Sequence, residues 1–306
     1  MKFSIIIPLF NGAKLITSTL DTVITQTYKN YEVILVNDGS PDNVAAVVRK
    51  YISDHPQIEF VYIEQKNKGL GGARNTAMKK ATGDIIAILD QDDVWYPEKL
   101  AKVADIYKND PDVSVVVHNQ YIREKGMIIS EAISGPYGKD MYRKLLFGEN
   151  CLSTSATTFK RALLDDVGYF SEEVDKLHFI EDYDLWLRIA AKGYKFNFMP
   201  DILGEYVLHE ANNSSAVETM YRGALYVIDK HYALLPDKQP LDWYRMRRKK
   251  AEYLYYIAHY YMLNRREAIN GLFYLLRSLS SDPLWLIKYI LKKLWEKITF
   301  KMEAKQ

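Results

Sequence analysis

The sequence predicts an α/β protein with a mostly parallel sheet, helices on both faces of that sheet, and an all-helical C-terminal appendage. In the N-terminal part, short apolar runs rich in β-branched residues alternate with amphipathic helical patterns. Each connection between strand signals is long enough for a crossover helix, which is typical of parallel sheets. From about residue 216 onward only helical periodicity remains. We therefore expect an α/β domain over 1–215 and a helical region over 216–306.

The individual elements follow from these patterns in chain order. The first predicted strands are residues 3–9, 31–36, 60–63, 85–89 and 114–117. The helices between them are predicted at 13–27, 44–53, 72–81 and 97–107. Beyond residue 117 the pattern is less regular, with strand signals at 157–159, 194–199 and 202–207 and helical signals at 142–146 and 182–191. The prolines at 236 and 240, together with the change of periodicity, place the boundary between the two parts near 215–240.

Charge is distributed unevenly along the chain. The net charge is only +2, but residues 241–306 contain 14 Lys and Arg against 6 Asp and Glu, which gives +8. The remaining residues, 1–240, contain 27 basic and 33 acidic residues, which gives −6. A basic tail on an acidic body indicates an anionic partner for the tail, either nucleic acid or membrane lipid.

Cysteine content and apolar runs give an expected location. Cys151 is the only cysteine, so the chain cannot form an internal disulfide, which suits a reducing compartment. The N-terminal residues lack the apolar stretch and cleavage site of a signal peptide. No apolar run reaches the roughly 18–20 residues needed to span a bilayer. We therefore expect a cytoplasmic protein.

Three carboxylates follow the fourth predicted strand, in the run Asp90-Gln91-Asp92-Asp93. In an open α/β sheet, ligands bind at the carboxyl ends of the strands. Like charges this close repel one another, and a divalent cation is a suitable partner for their hard oxygen atoms. The run therefore predicts a metal-dependent nucleotide or nucleotide-sugar site. The plainer alternative is a polar loop in which Asp93 caps the helix at 97–107.

Two further loops follow predicted strands. After the first strand, the segment around Pro8, Phe10 and Asn11 can bring backbone groups and the Asn11 amide close to a nucleotide base. After the second strand, Asp38 can accept a hydrogen bond from a base N–H or a ribose hydroxyl. Taken alone, each segment is also consistent with an ordinary turn between a strand and a helix.

A glycine-rich segment at residues 67–75 is similar to a dinucleotide-binding fingerprint. The last glycine that the fingerprint requires is replaced by Arg74, and the segment follows the third strand rather than the first. Both differences argue against a Rossmann dehydrogenase. We instead interpret Lys68 and Arg74 as cations that lie near a diphosphate.

Five motifs together resemble family 2 glycosyltransferases of the GT-A fold. They are residues 5–11 (IIIPLFN), 36–40 (VNDGS), 72–75 (GARN), 90–93 (DQDD) and 181–188 (EDYDLWLR). Each motif is weak by itself, but five in the order of the family are a strong signal. The resemblance covers about residues 1–210, and the tail lies outside it.

The resemblance implies transfer of a sugar from a nucleotide donor with inversion at the anomeric carbon. It implies that Asn11 and Asp38 bind the base, most often uracil, and that Asp90 contacts the ribose or a metal ion. Asp92 would hold Mg²⁺ or Mn²⁺, which bridges the diphosphate oxygens and neutralises the leaving group. His209 either completes the metal site or is an ordinary structural histidine. The expected donor-binding set is Pro8, Phe10, Asn11, Asp38, Lys68, Arg74, Asp90 and Gln91.

The same resemblance implies that Asp182 is the catalytic base, because it follows Glu181 at the start of a predicted helix. A pair of acids at a helix N-terminus is also explained by the helix dipole alone. We expect Glu181 and Trp95 on the acceptor side of the site. Trp95 would stack on a sugar face or, alternatively, pack in the core.

The tail contains a basic amphipathic helix signal at residues 284–300. Its lysines lie away from a set of apolar residues on one side, which are Ile287, Ile290, Leu291, Leu294, Trp295 and Ile298. This pattern is typical of attachment to an anionic membrane surface. We expect peripheral association with the inner face of the cell membrane, where a lipid-linked acceptor would lie. The alternative is a helical domain that packs on the catalytic body or on the second copy of a homodimer.

These observations together indicate an enzyme that transfers a sugar, with a UDP-sugar as the expected donor and a glycan or lipid-linked acceptor, in polysaccharide biosynthesis. A nucleotidyltransferase is an alternative, but it would need a Gly- and Lys-rich phosphate loop directly after the first strand. A nucleic-acid-binding protein would use the basic tail, with its tyrosines as stacking platforms. The acidic charge of residues 1–240 argues against nucleic acid as a partner.

Overall fold

The computed structural model describes residues 1–135, 138–148, 150, 152–177, 180–209 and 217–303, so Cys151 lies outside the described residues. The chain divides into two compact units. The first unit comprises Met1–Leu145, Glu149–Val174 and Glu181–Asn212. The second comprises Leu146–Gly148, Asp175–Ile180 and Asn213–Gln306. Two short internal segments therefore belong with the C-terminal helices, which the sequence periodicity did not indicate.

Nine strands within the described residues form one sheet. They are β1 (Phe3–Leu9), β2 (Tyr31–Asp38), β3 (Phe60–Gln65), β4 (Ile85–Ile88), β5 (Val94–Trp95), β6 (Val113–Glu124), β7 (Met127–Ala132), β8 (Thr157–Lys160) and β9 (Lys195–Leu208). Their order is β3-β2-β1-β4-β8-β6-β9-β5, and β7 pairs with β6 beside this path. The pairs among β1 to β4 are parallel, whereas β8 runs antiparallel to both β4 and β6.

The helices alternate with the first strands and then continue without strands after β9. They are α1 (Ile16–Ile24), α2 (Val44–Asp54), α3 (Gly69–Lys80), α4 (Lys99–Asn109), α5 (Met141–Phe147), α6 (Leu164–Val167), α7 (Val174–Leu177), α8 (Glu181–Ala191), α9 (Val217–Leu234), α10 (Pro240–Tyr260), α11 (Ala268–Ser281) and α12 (Pro283–Glu303). The predicted α/β class with a C-terminal helical part is confirmed. The sheet is mixed rather than parallel throughout, because β5, β7 and β8 make antiparallel pairs.

The apolar runs of the sequence become the central strands because both of their faces are covered. Every residue of β1 and β2 is buried. The alternate side chains on one face of these strands, Phe3, Ile5, Ile7 and Leu9 of β1 and Tyr31, Val33 and Leu35 of β2, form one core with apolar residues of α1, α2 and α4. A strand that is buried on both faces needs a continuous apolar run rather than an alternating one, and this is the pattern that the sequence shows.

The glycine-rich segment differs from the prediction, because it forms the first turn of α3 rather than a loop. A side-chain carbon added at Gly71 would lie 3.1 Å from Ser171 O and 3.3 Å from Glu181 Cγ. The absence of a side chain there lets α3 pack closely against these two segments. The glycine therefore serves the packing of the helix and not the turn of a phosphate loop.

Two other predictions needed correction in the second half of the sheet. The segments 194–199 and 202–207 form one strand, β9, and Pro200 within it coincides with a shift of register between β6 and β9. Strand β7 was not predicted. It follows β6 through Lys125 and Gly126, whose φ angles of 48° and 82° suit a two-residue hairpin turn.

The second unit is helical. Leu254, Ile257 and Ala258 of α10 pack with Tyr274 of α11 in a small core of their own. Helix α10 begins with a capping box, in which Gln239 and Asp242 exchange hydrogen bonds between side chain and backbone. Among the described helices, none is both long and apolar enough to cross a membrane.

Candidate active site

Three loops that were predicted to bind a nucleotide leave neighbouring strands at one edge of the sheet. Strand β1 pairs in parallel with β2 on one side and with β4 on the other. Asn11 follows β1, Asp38 ends β2, and Asp90 follows β4. Parallel neighbours place their carboxyl ends at the same edge, so the strand order alone brings these loops together.

Hydrogen bonds between the loops fix their relative positions. The backbone N–H of Asn11 donates to Ser40 Oγ at 2.8 Å. Asn11 has a φ of 54°, a left-handed conformation that asparagine tolerates better than most residues. Gln91 Oε1 accepts from the backbone N–H of Phe10 at 3.1 Å, and Gln91 Nε2 donates to Phe10 O at 2.7 Å. The Gln91 amide thus joins the loops after β1 and β4, although the sequence had placed it on the donor.

The end of β2 holds the start of α3. Asp38 is buried, and its Oδ1 accepts hydrogen bonds from Gln65 Nε2 at 2.6 Å and from the backbone N–H of Lys68 at 2.8 Å. The Lys68 side chain is exposed, so its ammonium group is accessible at this edge. At the end of β1, Pro8 is buried, whereas the Phe10 ring is 43% exposed.

Arg74 connects two carboxylates from distant parts of the chain. It is only 2% exposed, and its Nη2 donates to Asp90 Oδ1 at 2.7 Å while Nη1 donates to Glu181 Oε1 at 3.2 Å. Burial alone would lower the pKa of Arg74, but the charges of the two carboxylates outweigh it and raise the pKa overall. The guanidinium therefore ties the β4 loop to the start of α8. The sequence had instead indicated a cation beside the diphosphate.

The side chains of Asp92 and His209 contact each other, and both are residue types that commonly bind metal ions. Asp92 Oδ2 lies 2.6 Å from His209 Nε2, and the two side chains are 16% and 25% exposed. Burial raises the pKa of Asp92, the charge of Asp90 raises it further, and His209 opposes both effects. The pairing of β5 with β9 explains the contact, because the register Val94↔Glu205 leaves His209 opposite the β4 loop.

The chemistry of this pair fits a divalent cation. A carboxylate oxygen and an imidazole nitrogen are both ligands of Mn²⁺, and Mg²⁺ often takes one or two carboxylates and completes its shell with phosphate oxygens and water. The described part of the chain contains no group of three or more His, Cys, Asp and Glu side chains arranged to hold a metal. A cation here would therefore have Asp92 and His209 as protein ligands and would need oxygen atoms from a bound substrate.

A buried network of polar contacts around Ser155 supports the loop of residues 90–93, which we call the acidic loop. Ser155 Oγ accepts from the backbone N–H of Asp90 at 3.0 Å, and the Ser155 hydroxyl group favours the ionised form of the nearby Asp93 carboxyl group, whose pKa burial raises. Asp93 also accepts from the backbone N–H of Val207 at 3.0 Å. Asp93 is thus not the N-cap of α4, a position that Glu98 occupies. Ser155 was missed in the sequence, since it lies 65 residues from Asp90 and in no motif.

Trp95 lies in the core and not on the acceptor side. It is 1% exposed, and its Nε1 donates to Ser155 O at 2.8 Å. The fully buried Lys99 donates to the same carbonyl at 2.7 Å and lies 3.3 Å from the centre of the Trp95 ring. Burial lowers the pKa of Lys99 well below its ordinary value. No face of the indole is open for a sugar, so core packing, the alternative for Trp95, is the correct interpretation.

The predicted base stands at the start of α8. Asp182 Oδ1 accepts from the backbone N–H of Tyr183 at 2.6 Å, and Oδ2 accepts from Thr154 Oγ1 at 3.3 Å. Burial raises the pKa of Asp182 to about 7, and the neighbouring charge of Glu181 adds to this effect, whereas Arg74 lowers the pKa. The side chain keeps partial contact with solvent. Glu181, which was predicted on the acceptor side, is buried in its ion pair with Arg74.

Comparison with known proteins identifies the family to which the chain belongs. Residues 4–168 match the family described as Glycosyl transferase family 2. An uncharacterized glycosyltransferase from Nostoc sp. is 32% identical over 70% of this chain and 66% of its own length. Chondroitin synthase from Escherichia coli is 30% identical over 69% of this chain, but this covers only 29% of that enzyme. The amylovoran biosynthesis glycosyltransferase AmsB from Erwinia amylovora is 30% identical over 67% of this chain and 69% of its length.

Two solved structures share the fold at low sequence identity. Staphylococcus aureus TarS 1–349 in complex with UDP-GlcNAc aligns with a TM-score of 0.66 at 20% identity, over 93% of this chain and 84% of that one. A mannosyltransferase from Pyrobaculum calidifontis in complex with GDP-Man and Mn²⁺ aligns with a TM-score of 0.63 at 21% identity, over 97% and 80%. The family match spans more than half of the chain, and the chain therefore belongs to glycosyl transferase family 2, an enzyme family that transfers sugars.

Proposed function

We propose that this protein is an inverting glycosyltransferase that moves a sugar from a nucleoside-diphosphate donor, a UDP-sugar in the first instance, to a hydroxyl group of a glycan or lipid-linked acceptor. One observation carries the proposal. The carboxyl edge of the sheet holds a pair of metal-ligand type, Asp92 and His209, and a carboxylate with a pKa of about 7, Asp182. Arg74 links the two parts through Asp90 and Glu181.

The donor is proposed to occupy the edge formed by the loops after β1, β2 and β4. The parallel pairing of β1 with β2 supports this proposal, because it brings Asn11 and Asp38, the proposed contacts of the base and ribose, to the same edge of the sheet. The exposed Lys68 ammonium supplies positive charge for the diphosphate. The two solved neighbours are complexes with nucleotide sugars, UDP-GlcNAc in one and GDP-Man in the other, which supports a nucleotide sugar as the donor class.

A divalent cation, Mn²⁺ or Mg²⁺, would be held by Asp92 and His209 and would neutralise the charge of the departing nucleoside diphosphate. The position of the pair supports this role, because both side chains retain exposed surface and lie in the loop that follows β4 or directly after β9. The carboxylate of Asp90 already forms an ion pair with Arg74. We therefore assign Asp92 rather than Asp90 as the main carboxylate ligand.

Asp182 is proposed to accept the proton of the acceptor hydroxyl group. The acceptor oxygen would then form its bond to the anomeric carbon on the side opposite the diphosphate, and the bond from that carbon to the phosphate oxygen would break, with its electron pair leaving on the diphosphate. A base works best when its pKa lies near the working pH, and the pKa of Asp182 meets this condition. A single displacement of this kind inverts the anomeric configuration.

The acceptor class rests on relatives with known products. Chondroitin synthase and an amylovoran biosynthesis enzyme both make polysaccharides by name, and this supports a glycan acceptor for the present chain. The chain spans 66% of the length of the Nostoc relative and 29% of that of chondroitin synthase.

Calorimetric titration tests the donor site directly. UDP, GDP, dTDP and CDP would each be titrated with and without Mn²⁺ into the wild type, into Asp92→Ala and into Asp112→Ala. Asp112 is an exposed aspartate away from the site and serves as the matched control. We expect one nucleotide to bind only with metal, Asp92→Ala to abolish this binding, and Asp112→Ala to preserve it. A folded wild-type protein that binds none of the four would overturn the proposal.

A further inference from the structure

The second unit exposes a continuous set of large apolar side chains on α11. Ile269 is 86% exposed, Leu272 51%, Phe273 54% and Leu276 57%. Their spacing of three and four residues places them on one face of the helix. The opposite face is occupied, since Tyr274 packs into the small core of this unit. We call these four residues the α11 stripe.

Helix α12 carries a second stripe of the same kind. Leu284 is 65% exposed, Ile287 52% and Leu291 60%, again at spacings of three and four. The helix is nevertheless anchored within its own unit. Leu286 is buried, and Tyr289 contacts the ring of Tyr255 on α10 with 5.1 Å between ring centres. The three exposed residues, the α12 stripe, therefore point outward from a packed helix and not from a loose one.

Both stripes are bordered by positive charge. At 100° per residue, Lys288 and Lys292 lie along one edge of the α12 stripe. Arg277 lies above the ring of Phe273, 5.6 Å from its centre. Residues 268–303 contain six Lys and Arg against three Asp and Glu. An apolar centre with a basic border is the composition of helices that lie in the interface of an anionic bilayer.

We propose that the two stripes form a docking surface for an anionic lipid bilayer, with the apolar side chains in the acyl boundary and the basic side chains among the headgroups. Exposed apolar side chains that lie side by side, and not singly, usually mark a surface for a partner or a membrane. A second copy of the chain is a poorer occupant, because a two-fold interface would bring the same basic borders against each other. The described helices are too short or too polar to span the membrane, so the surface lies on the bilayer and does not cross it.

Sedimentation with lipid vesicles tests this surface without requiring any transfer activity. The full chain would be mixed with two kinds of vesicle, one of phosphatidylcholine alone and one of phosphatidylcholine in which one third of the lipid is phosphatidylglycerol. Each mixture would be measured at low and at high salt. We expect binding to the anionic vesicles at low salt, weakening by about tenfold at high salt, and little binding to phosphatidylcholine alone. The readout is independent of nucleotide binding, so failure here and failure of the proposed function are distinguishable.

Variants separate the stripes from charge in general. Leu276→Glu combined with Ile287→Glu should weaken vesicle binding by about a hundredfold, because two apolar side chains no longer enter the bilayer. Ile129→Glu, which alters a half-exposed isoleucine of β7, should leave it unchanged. Lys288→Glu with Lys292→Glu should weaken binding by about tenfold at low salt only. Circular dichroism would establish that each variant is folded.

Two outcomes would overturn the proposal. One is binding to anionic vesicles that Leu276→Glu with Ile287→Glu leaves intact. The other is a dimer, seen by light scattering, that the same double variant dissociates while the wild type fails to bind any vesicle. The second result would show that a copy of the chain, and not lipid, covers the stripes.

Discussion

The loops at the carboxyl edge of the sheet and the helices α11 and α12 depart from the usual distribution of side chains in opposite directions. In and around these loops, charged side chains are buried, such as Asp93 after β4, Arg74 on α3 and Glu181 at the start of α8. In the helices, large apolar side chains such as Ile269 and Leu291 are exposed. Both departures are informative, because a buried charge requires a partner inside the fold and an exposed apolar face indicates a partner outside it.

The two regions also differ in what a substitution should disturb. A side chain in the first region has partners that lie far away in the sequence, so a substitution there should disturb several elements together. A side chain in the stripes has few partners within the chain, so a substitution there should leave the fold intact and change only binding.

Asp182→Asn should reduce the turnover number by about a thousandfold, because the amide cannot accept the proton of the acceptor. The substitution keeps the size of the side chain and its hydrogen-bond acceptor toward Tyr183. Donor affinity, measured by calorimetry with Mn²⁺ present, should stay within about threefold of the wild type. A variant with near wild-type turnover would show that another group acts as the base.

Arg74→Met should lower the free energy of unfolding by about 3–5 kcal/mol, because it leaves the carboxylates of Asp90 and Glu181 without their cation. Arg49→Met is the matched control, since Arg49 also pairs with a carboxylate, Glu64 at 3.1 Å, but is 63% exposed. That change should cost less than about 1 kcal/mol. Urea denaturation measures both values, and equal losses would contradict the role of burial.

His209→Ala should weaken Mn²⁺ binding in the presence of nucleotide by about tenfold or more, because one of the two proposed protein ligands is lost. His259→Ala changes an exposed histidine of α10 and should have no effect. Titration of Mn²⁺ into the nucleotide complex measures the affinity. Unchanged affinity in His209→Ala would assign His209 a structural role next to Asp92.

Ser155→Ala should have the smallest effect of the four, a loss of about 1–2 kcal/mol of stability, because the backbone N–H of Asp90 loses its hydrogen-bond acceptor and the buried Asp93 carboxyl group loses a neighbouring hydroxyl group. Nucleotide affinity should fall by a few-fold as the acidic loop loses its support. Ser130→Ala, an exposed serine on β7, should change neither value by more than about 0.5 kcal/mol. Equal behaviour of the two variants would contradict the supporting role of Ser155.

The strands at the carboxyl edge could be predicted from the sequence because each is a local signal. Strand β1 has the predicted bounds, and β2, β3 and β4 differ from the prediction by one or two residues at one end. A buried apolar run identifies such a strand without any knowledge of its neighbours. The helices that connect these strands make the strands parallel. The loops that carry Asn11, Asp38 and Asp90 therefore lie at the same edge of the sheet.

The partners of the site residues could not be predicted, because they depend on pairings between distant segments. Trp95 and Ser155 are 60 residues apart, and Arg74 and Glu181 are 107 apart. No periodicity reports such contacts, so Trp95 was given two possible roles and Arg74 was placed beside the diphosphate. The expectation that His209 lies near Asp92 came from the family resemblance and not from a local pattern, because the contact depends on the antiparallel pairing of β9 with β5, a strand of two residues that has no sequence signal of its own.

The stripes on α11 and α12 show a second limit of prediction from the sequence, which concerns whether an apolar helix face is buried or exposed. Helical spacing predicted that Ile287 and Leu291 share a face of α12. Spacing alone does not tell whether such a face is buried or exposed, since an amphipathic helix usually turns its apolar side to the core. The structure shows that the residues buried on α12 lie elsewhere, with Leu286 as an example.

If Asp182 is the catalytic base, its protonation state controls the rate of transfer, and the pH dependence of turnover reports it. The rate of nucleotide release from the sugar donor would be measured from about pH 5 to about pH 9 with metal at saturation. Asp182 must be deprotonated to accept a proton, so the rate should rise about tenfold per pH unit at low pH and level off above the pKa of about 7. A rate that is independent of pH across this range, or one that falls as pH rises through 7, would contradict the assignment.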